Sequence, residues 1–87
     1  MSNTVTESLT LASLAAGEVA NILMLNVAPE LKNRLNALGI QSGKQIKVVR
    51  RGALGGPIHV RVSTTEFVLR RAEADLITVT QTTAVKV

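Results

Sequence analysis

Short segments in which apolar and polar residues alternate constrain the fold of this chain more than any other sequence feature. The clearest is Ile58 to Val62, where three branched aliphatic residues alternate with His59 and Arg61. Because successive side chains of a strand point to opposite faces, this pattern predicts a strand with one buried face. Apolar content and turn residues predict the remaining strands at 18–25, 45–50, 65–70 and 76–80. The chain is therefore predicted to be mainly β, with five short strands.

One segment of helical period lies between the first two strands, at about residues 28–38. Pro29 suits the first helical turn, where its missing amide hydrogen would be unpaired anyway. Gly39 suits the left-handed position that follows a helix, so the helix is predicted to end there. The apolar residues of this segment recur at i, i+4 and i+7, which places them on one face: Leu31, Leu35 and Leu38.

Five strands of this length are too short to form a flat open sheet with bare edges. We expect them to curl into a small, partly open barrel with the helix inserted at one end. Src-homology-3-like (SH3-like) and OB-like barrels both fit this inventory. Residues 1–8 are polar and unpatterned, so they are predicted to be a flexible N-terminal tail, and residues 9–87 a single domain.

Composition limits both the core and the location. Apolar residues make up 46% of the 87 residues, and Phe67 is the only aromatic one, so the core must be aliphatic. The chain has no cysteine, which excludes disulfides and thiolate metal sites. Residues 1–7 contain no Lys or Arg, and residues 9–27 are interrupted by polar residues. No secretory signal or membrane helix is therefore predicted, and we expect a cytoplasmic protein.

Catalytic and metal-binding residues are scarce. His59 is the only histidine, and it is predicted to lie on an outward strand face, so no nucleophile–histidine set is apparent and no enzyme activity is expected. The glycines of residues 52–56 are not followed by the Lys-Ser/Thr pair of a phosphate-binding loop. His59 and Glu66, on neighbouring strands, are weak metal-ligand candidates that would need an oligomer to complete a shell. We predict no metal site and no cofactor.

Charge and one exposed apolar residue suggest a binding surface. The formal charge is +4, which favours an acidic partner without identifying it. Leu54, between Ala53 and Gly55, either anchors in a partner pocket or tucks back onto the barrel rim, and the second option is slightly favoured. Strand pairing would bring several arginines together on the outside of the barrel: Arg50, Arg51, Arg61, Arg70 and Arg71. Our candidate partner-binding residues are Leu54 with Arg50, Arg51, Arg70 and Arg71.

The order of these pieces resembles the FeoA family, the small cytosolic component of bacterial ferrous iron uptake. The resemblance is carried by Leu9–Glu18, Leu31–Leu35, Leu38-Gly39-Ile40, Gly43 with Ile46 and Val48, Gly56-Pro57-Ile58, Leu69–Ala74, and Ile77–Val79. It implies an SH3-like barrel with an inserted helix and no enzyme activity. It also implies an accessory or regulatory role through binding to the cytosolic part of FeoB, the GTPase-coupled membrane permease for Fe(II).

Other functions stay open at this point. A small basic barrel is compatible with nucleic-acid binding, although single-strand binders stack bases on aromatic residues and Phe67 is predicted to be buried. The chain is also compatible with a stand-alone relative of the C-terminal domain of metal-dependent repressors. Self-association through a free strand edge is a further alternative. Activation, inhibition and assembly of a permease are all compatible with such binding.

Overall fold

The computed structural model describes residues 2–86, and the side chains of residues 7–81. Within this range the chain forms one antiparallel sheet with the strand order β1-β6-β2-β3-β4-β5. The strands are β1 Ser2–Thr10, β2 Val19–Leu25, β3 Gln45–Arg51, β4 Ile58–Val62, β5 Thr65–Leu69 and β6 Ile77–Lys86. The helices are α1 Pro29–Ala37 and α2 Arg71–Ala74, and single 3₁₀ turns lie at Leu11–Ser13 and Ala53–Gly55.

The mainly β fold with one inserted helix is confirmed, and α1 lies within the predicted range of 28–38. Helix α1 ends as its sequence predicts. Gly39 has a φ of +96°, and the amide of Ile40 donates a 2.9 Å hydrogen bond back to the carbonyl of Leu35. Leu35 is buried, whereas Leu38 is 47% exposed because it follows the last helical residue.

The N-terminal segment differs from the flexible tail predicted for residues 1–8. Ser2–Thr10 forms β1, which pairs with β6 from Ser2 opposite Lys86 to Thr10 opposite Thr78. The segment alternates Thr and Val around Val5, and β-branched residues fit a pleated strand. Met1 lies outside the described residues. The described chain therefore has six strands, not the five predicted.

The last strand is longer than the predicted 76–80. It pairs with β2 from Ile77 to Thr80, and its remaining residues up to Lys86 pair with β1. Val85 lies opposite Asn3, while Val87 lies outside the described residues. The ends of β1 and β6 thus form a two-stranded ribbon that continues from the barrel.

The core is aliphatic, as the composition predicted, and no polar side chain of residues 7–81 is buried. Helix α2 packs against the 3₁₀ turn Leu11–Ser13, and its Ala74 is fully buried. Phe67 packs against the core from a half-buried position. The largest fully buried side chains are Leu11, Leu14, Ile22, Ile40, Ile46, Ile58, Ile77, Val48, Val60 and Val79. Burial stabilises each of these by roughly 1.5–3 kcal/mol. Neither α1 nor α2 is long and apolar enough to cross a bilayer.

Candidate partner-docking surface

A bulge in β3 decides which way its arginines point. Val48 lies opposite Val60, and the next pair along the strands is Arg50 with His59, so Val49 is an extra residue with no partner. In a regular strand with no bulge, residues 48 and 50 would share a face, and Arg50 would point inward with Val48. The bulge instead places the exposed Arg50 on the outer face of the sheet, beside His59.

The same bulge turns Arg51 towards the inside of the barrel. Its Nη1 donates hydrogen bonds of 2.6 Å to the carbonyls of both Ala12 and Leu14, and the side chain is half-buried. Hydrogen bonds from a charged group contribute roughly 1.5–3 kcal/mol. Arg51 thus ties β3 to the 3₁₀ turn that precedes β2. Its guanidinium is held by the fold itself, which sequence alternation did not show.

The loop between β3 and β4, residues 52–57, holds Leu54 at its tip; we call it the Leu54 loop. The amide of Gly52 closes the loop by donating a 2.8 Å hydrogen bond to the carbonyl of Pro57. A Cβ on Gly52 would lie 3.0 Å from that carbonyl oxygen, and one on Gly56 would lie 3.1 Å from the carbonyl oxygen of Ala53. A side chain at either position would therefore require the neighbouring loop backbone to shift by a few tenths of an ångström.

Leu54 is fully exposed, at 105% relative accessibility, so the prediction that it tucks onto the barrel rim is wrong. Its backbone is left-handed, with φ 55° and ψ 43°. This conformation costs an L-residue roughly 1–2 kcal/mol, and glycine would adopt it freely. Residues held in such strained backbone conformations cluster at active sites and ligand contacts.

Two arginines lie at the start of α2: Arg70 precedes the helix, and Arg71 is its first residue. The guanidinium of Arg71 lies beside the Leu54 loop, since its Nη1 would be 3.4 Å from a Cβ on Gly55. The amide of the exposed Arg70 donates a 3.0 Å hydrogen bond to Oε1 of Glu73, which fixes the start of the helix. We define the Leu54 surface as the following set: Leu54, Arg50, Arg70 and Arg71.

The five arginines predicted to form one cluster do not all come together. Arg51 points inward, and Arg61 lies further along β4, opposite Lys47 on one side and Glu66 on the other. Its Nη2 is 3.4 Å from Oε2 of Glu66.

The predicted pairing of His59 with Glu66 is present. Nε2 of His59 lies 2.9 Å from Oε1 of Glu66, diagonally across β4 and β5. Within the part of the chain that the structure describes, no group of three or more His, Cys, Asp or Glu residues could hold a metal ion. The pair supplies two ligands only, fewer than the three or four protein ligands of zinc sites.

Comparison with known proteins settles the family. Residues 9–81 match the model of the FeoA domain. The chain belongs to the FeoA family. It is 37% identical over 71 residues to Fe(2+) transport protein A of Campylobacter jejuni, an alignment that covers 82% of this chain and 96% of that protein. FeoA proteins are ferrous iron transport accessory proteins, so the resemblance seen in the sequence is confirmed.

Solved structures confirm the SH3-like fold. The FeoA protein of Chlorobium tepidum is 37% identical, with a TM-score of 0.78 over 82% of this chain and 68% of that one. FeoA of Stenotrophomonas maltophilia, solved with zinc and described as a prokaryotic SH3 domain protein, is 27% identical, with a TM-score of 0.70 over 84% and 95%. A manganese-dependent transcriptional repressor, at 18% identity and a TM-score of 0.76 over 86% and 42%, shares the fold.

Sequence reasoning missed the adjacent exposed apolar residues on strand β2 of the FeoA barrel. Leu23 and Met24 on β2 are 49% and 52% exposed. A bulge between Ile22 and Met24 interrupts the pairing of β2 with β6, so regular alternation fails there as it does in β3. No turn residue or change of period marks either bulge in the sequence.

Proposed function

We propose that this FeoA-family chain is a non-enzymatic accessory protein that binds the cytosolic part of a FeoB-type, GTPase-coupled membrane permease. Family membership supports the link to ferrous iron transport. The observation that carries the docking proposal is the fully exposed Leu54, held in a left-handed conformation at the tip of a closed loop. Binding to that part of the permease requires the chain to be cytoplasmic.

The Leu54 surface has the chemistry of a small docking site. Complete burial of a leucine side chain stabilises a complex by roughly 1.5–3 kcal/mol, which corresponds to about 10- to 150-fold in affinity. The guanidinium of Arg71 beside the loop can form two parallel hydrogen bonds with a carboxylate. An apolar pocket rimmed by Asp or Glu on the permease would match this arrangement.

The histidine of this chain supports a non-enzymatic role. His59 is the single histidine, and its Nε2 lies 2.9 Å from Oε1 of Glu66 on the outer face of the sheet. A serine or threonine nucleophile would need a base beside it. We therefore propose that the chain acts through binding alone.

Binding of the full chain to a detergent-solubilised FeoB-type permease tests this function, measured with and without guanine nucleotide. We expect Leu54→Ala to weaken binding about tenfold or more, because it removes most of the buried apolar area. Met24→Ala is the matched control, since Met24 is an exposed apolar residue on strand β2 and not on the Leu54 loop. We expect it to change affinity less than twofold. Equal effects of the two variants would exclude the Leu54 surface, and no binding in any nucleotide state would exclude the permease as partner.

Charge reversal at an exposed arginine tests whether the arginines contribute to partner binding. Arg71→Glu is expected to weaken binding and to reduce its dependence on salt, because it removes an attractive charge from the interface. Lys32→Glu on the exposed side of α1 makes the same change of net charge away from the surface. If both substitutions weaken binding equally, net charge is responsible and the Leu54 surface is not.

A further inference from the structure

The sheet has a concave feature at the end of β4 that is far from the Leu54 loop. A cavity of about 260 Å³ opens there between the start of β3, the start of β2 and the turn after β4. Every titratable side chain that lines it is a cation: Lys44, Lys47 and Arg61. This feature is independent of the proposed docking function, because β4 separates it from the Leu54 loop by its whole length.

The charges around this cavity are only partly compensated within the fold. Lys47 lies directly opposite Arg61 on neighbouring strands, and like charges in such positions repel each other. Glu66 neutralises Arg61 from the far side, at 3.4 Å, while its other oxygen contacts His59. Among the side chains of residues 7–81, the ion pairs include no partner for Lys44 or Lys47. The cavity therefore keeps a net positive charge that the fold does not use.

The walls favour a particular kind of anion. Val19, which is 40% exposed, forms an apolar side of the cavity, and Ser63 stands at its rim with a hydroxyl group that can donate a hydrogen bond. A site with two lysines and an arginine favours an anion with two negative charges, such as phosphate, over a carboxylate, which carries one. The volume is several times the roughly 30 Å³ that one water occupies in the liquid. The cavity can therefore hold the anionic group and part of the organic molecule attached to it.

We propose that this cavity binds the phosphate group of a small phosphorylated molecule. Lys44 and Lys47 supply the uncompensated charge, and Arg61 and Ser63 supply directional donors. The apolar side chain of Val19 contacts the organic part of the ligand.

Amide chemical shifts of the full chain test the site. Inorganic phosphate is titrated at constant ionic strength, with chloride replaced stepwise. We expect saturable shifts confined to residues 19, 44–47 and 61–63. Lys47→Gln and Lys44→Gln should each weaken binding about fivefold, the size of an exposed charge contact. Lys32→Gln on α1 is the matched control and should leave the affinity unchanged. Linear shifts at all basic residues, or equal effects of the three variants, would overturn the proposal.

Two further probes distinguish the sources of the phosphate. A nucleoside monophosphate should bind more tightly than inorganic phosphate at the same residues, because its organic part contacts Val19. Vesicles that contain phosphatidylglycerol should not bind through these residues. Binding to vesicles alone, with no saturable response to either soluble phosphate, would contradict the proposal and identify a lipid headgroup instead.

Discussion

Each end of strand β4 has a non-glycine residue with a positive φ, in different settings. Leu54, before the strand, and Ser63, after it, both have a φ of 55°. Ser63 is the first residue of a two-residue turn that joins β4 to β5, with Val62 opposite Thr65. A hairpin turn of this length requires a positive φ at its first or at both central residues, because only then does its twist match that of the strands. The fold accounts for the strain at Ser63.

A two-residue turn accounts for the backbone at Leu54 as well. The amide of Gly56 donates a 3.1 Å hydrogen bond to the carbonyl of Ala53, and both central residues, Leu54 and Gly55, have a positive φ. The Leu54 loop is already closed by the hydrogen bond between Gly52 and Pro57, and glycine would satisfy the backbone at its tip without strain. The leucine also buries no area within the chain. The turns therefore account for the positive φ at both positions, but not for a fully exposed leucine at the tip of the Leu54 loop. The predictions below test this difference.

The largest effect is expected beneath the Leu54 loop, at Arg51. Arg51→Met removes both hydrogen bonds to the carbonyls of Ala12 and Leu14. We expect the free energy of unfolding to fall by about 2–4 kcal/mol in urea titrations, because charged donors are lost and partly buried acceptors are left without partners. Arg50→Met, one residue away on the outer face, should change stability by about 0.5 kcal/mol or less. Equal losses of unfolding free energy at both positions would show that the hydrogen bonds of Arg51 do not stabilise the fold.

This pair also shows where sequence reasoning reaches its limit. Periodicity located α1 and strands β2 to β5, because apolar residues at regular spacing predict which face is buried. A bulge adds a residue without changing composition, so the opposite directions of Arg50 and Arg51 could not be predicted. Strand β1 was missed for another reason: its stability comes from pairing with β6, a contact between distant parts of the chain that local polarity does not indicate.

The next largest effect should come from the glycine that closes the Leu54 loop. Gly52→Ala places a Cβ 3.0 Å from the carbonyl oxygen of Pro57 and 3.1 Å from the backbone of Gly56, neither of which is a flexible side chain. We expect a loss of about 1–3 kcal/mol in thermal or urea unfolding, the usual cost of overpacking. Partner binding should weaken as well if the loop presents Leu54. An alanine tolerated without loss would mean that the loop is not closed tightly, and its leucine would then not be held at the tip.

Glycine substitutions at the two strained residues compare the ends of β4 directly. Leu54→Gly should raise the free energy of unfolding by about 0.5–1 kcal/mol, since relief of the left-handed strain exceeds the extra entropy of glycine in the unfolded chain. The same variant should lose partner binding. Ser63→Gly should change stability by a smaller amount and leave partner binding intact. A Leu54→Gly variant that gains stability and still binds would show that the leucine serves no docking role.

The smallest effect is expected from Glu18, which lies beside Val19 at the cavity end of the sheet. The amide of Ala15 donates a hydrogen bond of 2.6 Å to its carboxylate, Gln81 donates another of 3.1 Å, and together they lower the pKa of Glu18. A lowered pKa in the folded state means that these bonds contribute stability above the usual Glu value of about 4.3. That contribution is lost as the pH falls through the lower folded value.

Thermal unfolding between pH 7 and pH 3 measures this contribution. On acidification, the melting temperature of the wild type should fall slightly more than that of Glu18→Gln. Glutamine does not titrate, and it keeps an oxygen that accepts a hydrogen bond. Glu30→Gln, on exposed α1, is the control and should follow the wild type. Glu18 is adjacent to Val19 of the cavity wall, but its carboxylate accepts hydrogen bonds from Ala15 and Gln81 and does not line the cavity. If Lys44 and Lys47 supply the charge, the substitution should also leave phosphate binding unchanged at pH 7. Tighter phosphate binding by Glu18→Gln would show that the Glu18 carboxylate repels the bound anion. The charge of the cavity would then depend on Glu18 as well as on the two lysines.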